Sequence, residues 1–163
     1  MKKGLVIALS IMMLAVPLGG CGEKNEIEKT VEEFVESVEK MDLDECIDYM
    51  DPDMVETLNG GIENIYAQQF GLDISFNDLV KNIDGNLDMV KNDIELNIDL
   101  GDMNVEVDGD RAVVTTSMDA SIESEAYYID KIEASAEGDF VLTKFDGKWY
   151  IKTYRFENFS VKQ

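Results

Sequence analysis

The sequence predicts an α+β domain in which N-terminal helices pack on a curved antiparallel sheet of about four strands. Three observations lead there. Apolar residues recur at helical spacing from Ile27 to Met41 and again after Asp51, then alternate with polar ones from Ile94 onward. Two Asp-Gly pairs, Asp108-Gly109 and Asp146-Gly147, punctuate the alternating part as hairpin turns. Helices precede strands, whereas a parallel sheet would interleave them.

The first helix follows from Ile27, Val31, Phe34, Val35, Val38 and Met41 on one face, with Glu28, Glu32, Glu36 and Glu39 among the residues between them. Asp42 or Asp44 can cap a second helix that carries Cys46, Ile47 and Met50. Asp51-Pro52 reads as a cap followed by proline in the first turn of a third helix, with Met54, Val55 and Leu58 as its apolar side. Gly60-Gly61 is expected to break that helix. Ile62, Ile65, Tyr66 and Phe70 then suggest a separate short one ended by Gly71. Ser75 can cap a further helix through Leu79, Val80, Ile83, Leu87 and Val90, although Gly85 weakens it.

Ile94, Leu96, Ile98 and Leu100 alternate with Glu95, Asn97 and Asp99 as a half-buried strand does. Gly101-Asp102 shifts the parity, so that Met103, Val105 and Val107 follow on odd numbers. A bulge there keeps both sets on one face. Ala112, Val114, Thr116, Met118, Ala120 and Ile122 predict the inward side of the next strand. Ile132, Ala134, Ala136, Gly138, Phe140 and Leu142 predict that of the one after. A last strand opens with Trp149 and Ile151 and runs to about Phe156.

Residues 1–20 read differently. Lys2 and Lys3 precede an apolar run from Leu5 to Val16, closed by Leu18-Gly19-Gly20 before Cys21. The run is about a dozen residues, short of the roughly 20 that span a bilayer. The arrangement resembles the lipobox of bacterial lipoproteins. That resemblance implies cleavage before Cys21 and a diacylglyceryl group on its thiol. The expected organisation is a lipoprotein signal peptide over 1–20, a lipidated tether over 21–25 and a single α+β domain over 26–163. The expected location is the extracytoplasmic face of the cell membrane, with the membrane engaged through lipid on Cys21.

Charge narrows the partners. The chain carries a formal −21, and −23 once Lys2 and Lys3 leave with the signal. From Cys21 to Asp110 the net is −21, and from Arg111 to Gln163 it is −2. Nucleic acid is therefore not an expected partner, because binding it requires Lys and Arg to neutralise phosphates. With Cys21 lipidated, Cys46 stands alone and forms no internal disulfide. No cation flanks Cys46, so it reads as a buried helix residue.

The chain holds no histidine. Ser-His-Asp and Cys-His catalysis are thereby excluded, along with the usual zinc ligand sets. Asn104, Glu106 and Asp108 before Gly109 imitate the start of a calcium loop, but Thr115 occupies the closing position that needs Glu. Asp119, Glu133, Glu137 and Asp139 fall on the outward parity of their strands. Tyr66, Tyr127 and Tyr128 are candidate pocket donors that read better as packing. No catalytic, cofactor or metal residue is assigned. The small inward residues Ala120, Ala134, Ala136 and Gly138 admit either close helix packing or space for a ligand.

Helices from Ile27 to Leu58 jointed at Met41-Asp42-Leu43-Asp44, the Asp51-Pro52-Asp53 turn and the closing Asp146-Gly147-Lys148-Trp149-Tyr150-Ile151 resemble small lipoproteins of Gram-positive bacteria with a cystatin-like or nuclear-transport-factor-2-like domain. The resemblance implies a sheet wrapped on the first helix around a conical cavity. It also covers isomerases, cyclases and transport factors, so it fixes no activity. The expected function is a monomeric binding or protein-interaction module rather than an enzyme, its partner an envelope protein or a small ligand. The alternative is a small-molecule enzyme of isomerase or cyclase type using a pocket carboxylate.

Overall fold

A computed structural model describes residues 20–71 and 73–162. The expected signal peptide lies outside the described residues except for Gly20, where the first helix starts. Helix α1 spans Gly20–Glu39. Ile27, Val31, Phe34 and Val35 are buried at the expected spacing, and Val38 is half-buried. Residues 21–25, expected as a tether, are helical, because nothing in Gly22-Glu23-Lys24-Asn25 stops a helix that Ile27 and Val31 anchor. On the exposed side Lys29 pairs with Glu33 at 3.0 Å and Lys40 with Glu36 at 2.9 Å. Such i,i+4 pairs add a few tenths of a kcal/mol each.

Asp42 caps α2 (Leu43–Asp48), its side chain accepting from the Glu45 N–H at 2.9 Å. Cys46 is buried on α2, as its flanks suggested. The chain then stitches onto the sheet. The Ile151 N–H donates to the Tyr49 carbonyl at 2.7 Å, and the Asp51 N–H donates to the Ile151 carbonyl at 2.9 Å. Asp51 caps α3 (Pro52–Phe70), accepting from the Met54 N–H at 3.1 Å.

Helix α3 runs unbroken through Gly60-Gly61, against expectation. Each of these glycines costs about 1 kcal/mol relative to alanine. Caps at both ends outweigh that: Asp51 with Pro52 at the start, and Gly71 in the left-handed region (φ 65°) at the end. The Asn64 side chain also donates to the Gly60 carbonyl at 2.8 Å. Ser75 caps α4 (Phe76–Leu87) in a reciprocal capping box with Asp78. Helix α4 packs on α2 and α3.

Five antiparallel strands follow: β1 (Glu95–Leu100), β2 (Asn104–Asp108), β3 (Arg111–Ser124), β4 (Ile129–Phe145) and β5 (Lys148–Lys162). The sheet order is β1-β3-β4-β5, with β2 continuing along the same edge of β3 as β1. The edge counted as one strand in the sequence is thus two. Leu100 pairs with Met118 and Asn104 with Thr115, which leaves one extra residue between β1 and β2. That bulge restores Val105 to the inner face, as the parity shift required. Gly101 gives the bulge room: a Cβ would lie 2.2 Å from Ser117 Oγ, and that hydroxyl would have to rotate away. Gly109 has φ 60°, and Asp146 and Gly147 have φ 48° and 82°, the left-handed values that two-residue hairpins demand.

Strand β5 continues past its expected end at Phe156. Its register with β4 shifts twice, between Val141 and Leu142 and between Ser135 and Glu137. Ile27, Val31, Phe34, Val114, Phe140, Leu142, Trp149 and Ile151 share one core between α1 and the sheet.

Candidate functional site

Register turns the inner face into rows of side chains crossing the sheet. Near the hairpin end lie Ala112, Leu142 and Ile151, all at 2% exposure or less. The next row holds Val114, Phe140 and Tyr154, then Thr116, Gly138 and Phe156. The distal rows are Ile98, Ala120, Ala134 and Val161, and beyond them Leu96, Ile122 and Ile132. Val161 is 62% exposed, and the other residues of these distal rows are half-buried. The reason is length. The 20 residues of α1 rise about 30 Å, whereas the 17 of β4 extend roughly 55 Å. One helix therefore covers only part of the face.

Four aromatic rings mark the boundary between covered and open parts. Phe140 meets Phe156 edge-on at 5.3 Å (82°) and Phe34 at 6.3 Å (78°). Tyr154 lies 6.4 Å from Phe34, Phe140 and Phe156. Edge-on pairs of this kind add about 0.5–1.5 kcal/mol beyond their buried area. Phe34 and Phe140 are core, but Tyr154 is 60% exposed and Phe156 half-buried. Phe34 and Phe140 thus fill the near end of the space where the resemblance placed a conical cavity. Beyond the rings the inner face is a partly covered trough, with half-buried Ala120 and Ala134 as its floor and exposed Tyr154 and Val161 beside half-buried Phe156 along β5.

Tyr154 and Phe156 were not singled out from the sequence. The signal was present: Trp149 and Ile151 are odd, and Tyr154 and Phe156 are even. The register shift beside Lys152 accounts for the change, just as Gly101 does in the edge strands. Gly138 lets these strands close up, since a Cβ there would lie 2.1 Å from the Arg155 carbonyl oxygen.

The carboxylates fall where alternation put them. Asp119, Glu133 and Glu137 are exposed and Asp139 is half-buried; all four face away from α1. Asp139 accepts a hydrogen bond from Thr115 at 2.7 Å. Tyr128 is 95% exposed at the rim of a distal hollow, Tyr127 is 47% exposed, and Tyr66 is half-buried on α3. Among the described residues Asp51 is the buried carboxylate. Burial opposes its ionisation. Hydrogen bonds from Thr143 and the Met54 N–H, with Lys152 nearby, outweigh this and hold its pKa below 3.8. Those partners make Asp51 a joint between α3 and the sheet.

Burial pushes the Cys46 thiol pKa up, with Ser37 Oγ 3.0 Å from its sulfur. No cluster of three or more metal-ligating side chains occurs among the described residues. An open hollow of about 1310 Å³ at the distal rim lies between Asn92–Glu95 and the β3–β4 turn. There the buried Ser124 hydroxyl donates to the Asp93 carbonyl and accepts from the Tyr127 N–H at 3.2 Å. Another hollow, of about 440 Å³, lies between Glu26–Glu33 and Trp149.

No protein-family profile and no curated protein matches the sequence. Solved structures do. A candidate aromatic ring hydroxylase from Novosphingobium aromaticivorans superposes with a TM-score of 0.57 at 13% identity, covering 87% of this chain and 94% of that one. A protein of unknown function with a cystatin-like fold from Nostoc punctiforme gives a TM-score of 0.49 at 16% identity over 82% of this chain and 89% of that one. A candidate dehydratase of the NTF2-like family from Streptomyces avermitilis gives 0.48 at 13% identity over 80% and 91%. At such identities the likeness is one of fold. It nevertheless corrects the expectation of a non-enzyme: the same helix-and-sheet scaffold occurs in the candidate ring hydroxylase, so the architecture offers no ground for setting catalysis aside.

Proposed function

We propose that this chain is a lipid-anchored small-molecule module whose open trough receives an apolar, ring-bearing ligand. The supporting observation is the pair of exposed residues Tyr154 and Val161, with half-buried Phe156, beside the small half-buried residues Ala120 and Ala134. Contiguous exposed apolar surface of this kind marks interaction sites. The short side chains of Ala120 and Ala134 admit a planar group, and Tyr154 offers a ring face against it. Burying the ligand's apolar area contributes about 25 cal/mol per Å². Cys21 bears the diacylglyceryl group in this reading, which holds the module at the extracytoplasmic face of the membrane. Two acyl chains make such anchoring stable where one is marginal.

A second reading, conversion of the ligand in the manner of an isomerase or cyclase, is supported by the scaffold shared with the candidate ring hydroxylase. It assigns no residue, because the inward positions of the strands carry no carboxylate and Asp51 is occupied as a cap.

Ring-bearing apolar compounds screened by thermal shift test the trough. A true ligand raises the melting temperature of the native protein and loses most of that effect in Ala134→Leu and Tyr154→Ala. A shift that survives both substitutions removes the trough from consideration. Product detected by mass spectrometry in the same samples decides for the second reading.

A further inference from the structure

Three segments converge at the pole where α1 begins. Glu23 of α1 pairs with Lys144 of β4 at 2.6 Å, and Lys144 lies 5.2 Å over the ring of Trp149. The Lys144 N–H donates to the Asp110 carbonyl at 2.8 Å, which draws the β2–β3 hairpin to the same place. Phe145, beside the β4–β5 tip, is 45% exposed, and Val107, beside the β2–β3 tip, is 37% exposed. Lys148 is exposed next to the Asp146-Gly147 turn.

Cys21 precedes Glu23 by two residues, about 3 Å along a helix. Because α1 is helical from Gly20, no slack separates Cys21 from this pole. Charge points the same way. Lys24, Arg111, Lys144 and Lys148 stand against Glu23, Glu26, Asp108, Asp110 and Asp146 around the two tips, a near balance. The opposite rim sets Asp93, Glu95, Glu123, Glu125 and Asp130 against Lys131 alone. An anionic leaflet attracts basic residues within a Debye length and repels such a rim.

We propose that this pole is a membrane-contact surface, seated on the headgroups of an anionic bilayer with Phe145 in the interfacial layer and the acidic rim turned outward. The proposal rests on lipidation of Cys21. It adds an orientation: the sheet stands on its two hairpin tips, and the distal trough opens away from the membrane.

The test uses the full chain, purified with its lipid and placed in phosphatidylglycerol–phosphatidylcholine vesicles with brominated acyl chains. Trp149 is the single native tryptophan and is buried, so an added indole reports its own depth. Phe145→Trp places one at the pole, and Tyr128→Trp places one at the opposite turn. Interfacial side chains sit about 5–10 Å into the headgroup–acyl boundary, so the Phe145→Trp emission should be quenched at least about threefold more than that of Tyr128→Trp. Equal or absent quenching overturns the orientation when mass spectrometry shows Cys21 acylated. An unmodified Cys21 overturns the anchor, and the membrane contact with it.

Discussion

Ala112, Leu142 and Ile151 form one row across the inner face and are sealed. Ile98, Ala120, Ala134 and Val161 form another that runs from half-buried at Ile98 to exposed at Val161. Both rows obey the same alternation and belong to the same strands. The difference lies in what lies over them: α1 ends before the strands do. A period of two reports which side a residue faces, and only tertiary cover decides whether that side is core or site.

Substitutions in the two halves should therefore behave differently. Phe34→Ala removes the ring that meets Phe140 and Tyr154 in the covered half, and should cost about 3–5 kcal/mol in chemical denaturation. Val161→Ala, in the open half, should stay within about 0.5 kcal/mol. Similar losses at both positions would mean that the distal face is covered after all. Gly138→Ala, at the boundary, drives a Cβ against backbone, 2.7 Å from Phe156 Cα. It should cost about 1–3 kcal/mol and shift the amide resonances of Arg155 and Phe156. Unperturbed resonances would show that the strands can separate there freely.

Asp51→Ala tests the joint rather than the face, with an expected loss of about 0.5–2 kcal/mol near neutral pH. Its pH dependence has a definite sign. The folded pKa of Asp51 lies below the ordinary 3.8, so its contribution is complete above that value and is lost as pH falls through the lower folded pKa. The gap between native protein and variant should narrow on acidification below pH 3.8. A gap that widens there would contradict the hydrogen bonds from Thr143 and Met54.

Much of this architecture was legible. Alternation from Ile94, the parity change at Gly101, the Asp-Gly turns and the caps at Asp51 and Ser75 all appear where local chemistry put them. Local signals misled at Gly60-Gly61, where two capped ends outweigh two weak positions. They also ended β5 too early, because Asn158 takes a left-handed conformation (φ 55°) and the strand continues beyond it. The trough was half legible. Its small floor residues were noted, but its aromatic side depends on a register shift that becomes visible only when Trp149, Ile151, Tyr154 and Phe156 are read together. How far α1 reaches over the sheet needed the three-dimensional arrangement.

The two shifts in β5 bear on behaviour in a crowd. β5 is the last strand of the sheet, 15 residues long, and apart from the bridge at Ile151 no strand among the described residues pairs with its outer edge. Phe159 and Val161 are exposed along it. A flat edge of that length recruits neighbouring chains into continuous sheets. The irregularities beside Lys152 and Asn158 interrupt its regular ladder, and Lys152, Arg155, Glu157 and Lys162 place charged side chains along it. The shifts that bring Tyr154 and Phe156 onto the inner face therefore also make this edge a poorer template for a neighbouring chain.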